Sequence, residues 1–183
     1  SRSRLVRLTV QAIAIATVLA TMPDTGPVLA AGLPLWLDRL LLAIAWLWFV
    51  NLFNFMDGID GIAAGEATII AFGVVVLALA SDGIGLPALD GAIIGAAALG
   101  FLTVNWSPAR IFMGDSGSAG LGFVLGWLLI DTANAGLLAA ALILPLVFVG
   151  DASWTLLTRL ARGRAIASPH RDHAYQIAVD RGL

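Results

Sequence analysis

Six long apolar runs, joined by short turns rich in Gly, Pro and Asp, limit what this chain can become. They fall at about 5–22, 34–53, 61–80, 86–104, 118–133 and 137–157. Each is close to the ~20 apolar residues that a helix needs to cross a bilayer. Such runs also occur as buried helices of soluble proteins, but six in succession leave too little polar surface for a soluble shell. Of 183 residues, 60% are apolar and 12% charged, against about half and a quarter in soluble domains. A transmembrane barrel would need alternating segments of about ten residues, and the runs do not alternate. The expected fold is therefore all-α, a polytopic transmembrane bundle of six spans forming one domain over 1–183. Turn signals at 23–27, 81–85 and 131–136 separate the spans. Gly91, Gly95 and Gly100 in the fourth run are expected to admit close helix contact.

The charges give the bundle an orientation. All ten basic residues are Arg. With six spans, one face receives the N-terminus, 54–60, 105–117 and the segment from about 158. That face collects Arg2, Arg4, Arg7, Arg110, Arg159, Arg162, Arg164, Arg171 and Arg181, and the other holds only Arg39. By the positive-inside rule the Arg-rich face is cytoplasmic. The net charge of −2 gives no reason to expect a nucleic-acid partner. The absence of Cys excludes disulfides and thiolate metal sites. The Arg-bearing opening has no cleavage site and does not read as a signal peptide; the chain reads as a segment of a longer protein.

Three polar islands then fall on this one face. The first, 51–61, carries Asn51, Asn54, Asp57 and Asp60 at steps of three, with Gly58 and Gly61 between them. If helical, these side chains form a polar stripe winding round the end of the second span. Carboxylates at a membrane interface are costly and usually functional, although a helix end with two Asp-Gly turns would look similar. The second island, 105–118, holds Asn105, Arg110, Phe112 and Asp115, the last between Gly114 and Gly117. Ser116 and Ser118 are placed to cap the next helix, whose N-terminus favours phosphate. A carboxylate there repels phosphate unless a cation lies between, and Mg2+ suits one or two carboxylates plus phosphate oxygens. Alternatively, Asp115 is itself a helix cap.

The third island, 168–176, contains both histidines of the chain, His170 and His173, with Arg171 between them. Together they could grip phosphate oxygens; a solvated basic tail is the plainer alternative. Asp151 lies inside the sixth run, where an ionisable group is a functional candidate by default. The six Trp residues are accounted for by interface belts and packing.

Taken together, Asn51-x-x-Asn-Phe-Met-Asp-Gly-Ile-Asp-Gly, then Asn-Trp-x-Pro-Ala-Arg-Ile-Phe-Met-Gly-Asp-Ser-Gly-Ser, then His-Arg-x-His resemble the polyprenyl-phosphate N-acetylhexosamine-1-phosphate transferases. That superfamily, glycosyltransferase family 4, includes the MraY, WecA and WbpL-like enzymes. The resemblance implies transfer of a sugar-1-phosphate from a UDP-sugar to undecaprenyl phosphate with release of UMP. It implies Mg2+ as cofactor, with Mn2+ as a substitute, and a bacterial inner membrane whose lipid bilayer holds the acceptor. It leaves a homodimer open. By resemblance Asp115 is the metal ligand and Phe112 packs on uracil. Asn54, Asp57 and Asp60 belong to the cleft, and His170 and His173 to the His motif. The family's upstream Asp-Asp motif is expected before Ser1. The tail lacks a triple His, which points away from the MraY branch towards enzymes that initiate O-antigen or capsule. Two other classes compete: an intramembrane aspartyl protease, and a proton-coupled transporter using Asp151 and the His pair. The first lacks the leading Gly of its Gly-x-Gly-Asp element, and the second predicts polar groups near mid-membrane.

Overall fold

The computed structural model describes residues 2–23, 25–81 and 87–162. Its helices are α1 (Arg2–Thr21), α2 (Leu35–Met56), α3 (Ile62–Ala80), α4 (Ala88–Asn105), α5 (Gly114–Thr132), α6 (Leu138–Ile143) and α7 (Leu146–Ala161), with a π-helical turn (Ala133–Leu137) between α5 and α6. No strand occurs among the described residues. Four stretches are long and apolar enough to cross a membrane: Leu35–Met56, Ile62–Ala80, Ala88–Asn105 and Gly114–Ile143. A shorter apolar helical stretch, Leu5–Thr21, belongs to α1. The expected all-α membrane bundle is the observed architecture.

The sixth expected span differs. Residues 137–157 are not one helix but α6 and α7, broken at Leu144-Pro145. Proline has no N–H to donate and its ring crowds the preceding turn, so a helix cannot run through it unperturbed. The fifth run ends where expected, α5 stopping at Thr132. The chain leaves helical geometry at Gly136, with φ at 92°, a left-handed value that glycine adopts without steric penalty. Beyond this turn α6 packs back against α5.

The expected two faces are visible in the contacts between loops. At one end the Thr25 hydroxyl donates to Asn134 Oδ1 at 3.0 Å, joining the α1–α2 and α5–α6 connections. At the opposite, Arg-rich end, the α2–α3 turn meets the α4–α5 loop. Asp38, in the first turn of α2, is fully buried, and its Oδ1 accepts from the Leu29 N–H of the connection at 2.8 Å. The α1–α2 loop is thus tied down by a carboxylate within the first turn of α2.

Between the ends, helices meet through small residues, since lipid gives little hydrophobic drive for helix association and packing must supply it. Gly91 sits against Ala71 and Val75 of α3, and Gly95 against the Phe72 ring; Gly100, expected to act alike, faces open space. On α5, Gly126 lies against the Trp46 indole. Trp46 is buried, donates to the Phe123 carbonyl at 3.0 Å and stacks on the Phe123 ring at 4.8 Å. It is therefore a packing residue rather than part of an interface belt. The outer surface is apolar, with Leu79, Leu89, Val147 and Trp154 exposed, as a lipid-facing surface requires.

Candidate active site

The first two islands do come together. α2 stops at Met56, and Asp57 leaves helical geometry with ψ at 61°. Asp57 and Asp60 therefore lie in the turn to α3 rather than on a helical stripe, and only Asn51 and Asn54 belong to α2. The turn closes at Gly61, whose φ is 77°. Its N–H donates to Asn105 Oδ1 at 3.1 Å, and Asn105 Nδ2 donates to the Ile111 carbonyl at 2.9 Å. A buried amide at the end of α4 thus holds both loops. Asp60 adds a second tie, its Oδ2 accepting from the Ala109 N–H at 2.9 Å.

Asn105→Ala would strip both loops of that clamp. An unpaired buried backbone group costs about 1–3 kcal/mol, and the buried Gly61 N–H would lose its partner here, while the more exposed Ile111 carbonyl can turn to water. The full-length variant is expected to melt at a clearly lower temperature in detergent, with Asn105→Asp milder because it keeps the acceptor for Gly61. An unchanged melting temperature for Asn105→Ala would show that the amide is not a clamp.

Asp115 stands in the first turn of α5, its side chain 80% exposed. The helix is preceded by Met113 and has no side-chain cap. Asp115 is therefore not a cap, and neither serine takes the expected capping role. Ser118, buried, donates its hydroxyl proton to the Gly114 carbonyl at 3.1 Å and accepts from Asn54 Nδ2 at 2.7 Å. Asn54 also lies 3.3 Å from the Asp115 carbonyl. Uncapped N–H groups at this helix start favour an anion.

Asn54, Asp57, Asp60, Asn105, Phe112, Asp115 and Ser118 line a cavity of about 210 Å³. Burial pushes the Asp57 carboxyl above its usual range, and the charge of Asp115 pushes the same way. Two carboxylates that repel across a cleft, beside a helix end that attracts anions, fit a divalent cation shared with phosphate. No cluster of three or more His, Cys, Asp or Glu suited to a metal occurs among the described residues. Among the described residues the donor set is too sparse for a closed structural zinc site. It matches Mg2+, which takes one or two protein carboxylates and fills its shell with phosphate and water. Asp115 and Asp57 are the residues that would hold it.

Other expected residues stand elsewhere. Asn51 is outside the cavity and donates to Gln11 Oε1 at 3.0 Å and to the Leu47 carbonyl at 2.8 Å, tying α1 to α2. Arg110 is exposed and does not line the cleft. Asp151 is half-buried in α7, also outside the lining. His170, Arg171 and His173 lie outside the described residues. Two groups were not singled out from sequence. Glu66 is buried within α3, and its Oε1 has no hydrogen-bond partner among the described residues; a lone acid in the 61–80 run was the signal. Arg7 of α1 pairs with Asp115, Nη1 to Oδ2 at 3.1 Å.

Fold and site define a polytopic membrane protein with an acidic cleft on its Arg-rich face. Residues 2–133 match the family model of glycosyl transferase family 4, and the chain belongs to that family. It is 31% identical over 144 residues to a probable undecaprenyl-phosphate N-acetylglucosaminyl 1-phosphate transferase of Bacillus subtilis, covering 75% of this chain and 40% of that protein. It is 37% identical over 163 residues to a phospho-N-acetylmuramoyl-pentapeptide-transferase of Chlamydia pneumoniae, covering 79% and 44%. Its identity to the Chlamydia abortus protein of the same description is 43% over 114 residues, covering 58% and 31%. The chain thus spans less than half the length of these relatives.

Proposed function

We propose that the protein containing this chain transfers an N-acetylhexosamine-1-phosphate from a UDP-sugar to undecaprenyl phosphate, releasing UMP and initiating a lipid-linked surface glycan. The observation that carries this reading is that Asp57 and Asp115 line one cleft at the uncapped start of α5. It occurs in a family whose similar members are phospho-sugar transferases by description. The Arg bias supports a cytoplasmic position for the cleft in a bacterial inner membrane, where nucleotide sugars would reach it.

The chain's own residues supply position and charge. A phosphate oxygen of the lipid attacks the sugar-bearing phosphorus of the donor. The bridge to the nucleotide phosphorus breaks, and its oxygen leaves with UMP. A phosphomonoester has its second pKa near ~6 and is largely dianionic at pH 7, so the attacking oxygen needs no strong base. Positioning and charge stabilisation carry most of such a reaction. Asp115 and Asp57 would hold Mg2+, which would neutralise charge on the pyrophosphate. The α5 N-terminus adds N–H donors for a phosphate oxygen. Asn54 and Ser118 fix Asp115 from behind through the α2–α5 contact. Phe112, 72% exposed at the cleft, offers its ring face to the base. Two carboxylates in one cleft would also suit peptide hydrolysis; family membership and a basic residue on Asp115 favour phosphate.

The test is UMP release by the full-length protein from a panel of UDP-N-acetylhexosamines, with undecaprenyl phosphate and Mg2+. UMP is expected with at least one donor, and chelation of the metal should stop it. No UMP from any of them would refute the reading.

A further inference from the structure

Arg7 projects from α1 towards the cleft. The turn of α1 that carries it is anchored, because Gln11 lies one turn further on and accepts from Asn51 of α2 at 3.0 Å. Below that, Ile15 and Leu19 are buried in a cluster with Leu42, Trp46, Val50 and Ile130. The backbone under Arg7 is thus fixed, while its side chain is 47% exposed. It ends on Asp115 Oδ2 at 3.1 Å, the carboxylate assigned to the metal. A monodentate pair this open to water holds weakly and exchanges readily.

We propose that Arg7 is a tethered cation that occupies Asp115 when the cleft lacks a divalent ion, yields the carboxylate to the ion, and then turns to a phosphate oxygen of the bound substrate. This rests on the assignment of Asp115 as metal ligand. The guanidinium and the ion compete for one oxygen, and two positive groups near it repel each other. Metal binding without substrate is therefore opposed by Arg7. Once phosphate is present, the displaced guanidinium has a new acceptor that it recognises well. Arg7 thereby couples metal loading to substrate loading, so that the ion is held firmly only when a phosphate is present to share it.

The two roles predict opposite signs, which a residue serving only the fold would not produce. Full-length wild type, Arg7→Gln, Arg7→Lys and Asp115→Asn would be titrated with Mn2+ in detergent, reading free ion by electron paramagnetic resonance. Each titration would be run with Mn2+ alone, with UDP and with a polyprenyl phosphate. With Mn2+ alone, Arg7→Gln is expected to bind about two- to tenfold more tightly than wild type, with Arg7→Lys between them. With phosphate present that advantage should vanish or reverse, and the arm in which it does identifies nucleotide or lipid phosphate as the acceptor. Equal or weaker Mn2+ binding by Arg7→Gln in the absence of phosphate overturns the proposal, while loss of binding in Asp115→Asn would still support the metal assignment. If Asp115→Asn binds Mn2+ like wild type, the metal assignment fails and this proposal falls with it. Arg7→Lys keeps a charge at the same anchored position, so it decides the matter should the Gln variant not fold.

Discussion

Asp115→Asn in the full-length protein is expected to lower kcat by roughly 10³-fold, about 4 kcal/mol of lost transition-state stabilisation. The substitution keeps size and polarity but removes the charge that opposes Asp57 across the cleft and pairs with Arg7. The fold should survive, because Asp115 is exposed and caps nothing. Asn54 reaches its backbone carbonyl rather than its carboxylate. Asp60→Asn is the informative comparison. Its carboxylate accepts one hydrogen bond, from the Ala109 N–H, and an Asn oxygen can accept the same bond. Its loss should be near tenfold, on the order of 1.4 kcal/mol. Parallel kcat measurements at saturating donor and Mg2+ decide the point. Equal losses at both positions would remove the distinction between a metal ligand and a loop tie.

The largest effect on stability is expected at Gly126. A Cβ there would overlap the Trp46 indole. The ring cannot shift without losing contacts, since it is buried, stacked on Phe123 and bonded to the Phe123 carbonyl. Overpacking a close contact costs about 1–3 kcal/mol, and losing the indole bond adds about 1. Gly126→Ala should thus cost roughly 2–4 kcal/mol. Gly120 lies on the same helix with open space around its Cβ position. There Gly→Ala should be neutral or gain up to about 1 kcal/mol from helix propensity. Detergent melts of both variants test this, and a Gly126→Ala protein as stable as Gly120→Ala would contradict the packing described above.

Much of this was legible in the sequence, for identifiable reasons. Apolar runs near bilayer length define helices whatever their partners, so α2, α3 and α4 begin and end close to expectation. Arg placement and helix parity assigned 51–61 and 105–118 to one face, and the ties from Asn105 and Asp60 join those segments. Periodicity failed where backbone chemistry took over. Asp57 and Asp60 continue the spacing of Asn51 and Asn54, yet the helix stops at Met56, Asp57 leaves helical geometry, and the turn closes at the left-handed Gly61. Pro145 was visible in the sixth run, but hydropathy alone does not weigh a proline. Side-chain partners were the least legible. Nothing in the spacing shows that Asn51 turns to Gln11, or that Arg7, counted only as an orienting charge, reaches Asp115 across 108 residues of chain.

The most direct test of the proposed reaction follows phosphorus rather than sugar. The full-length protein would be given a UDP-N-acetylhexosamine that it turns over, labelled at the sugar-bearing phosphorus, together with undecaprenyl phosphate and Mg2+. Attack at that phosphorus predicts that the label enters the lipid phase while unlabelled UMP stays in water. Label left in water as UDP, with the sugar alone on the lipid, would contradict it.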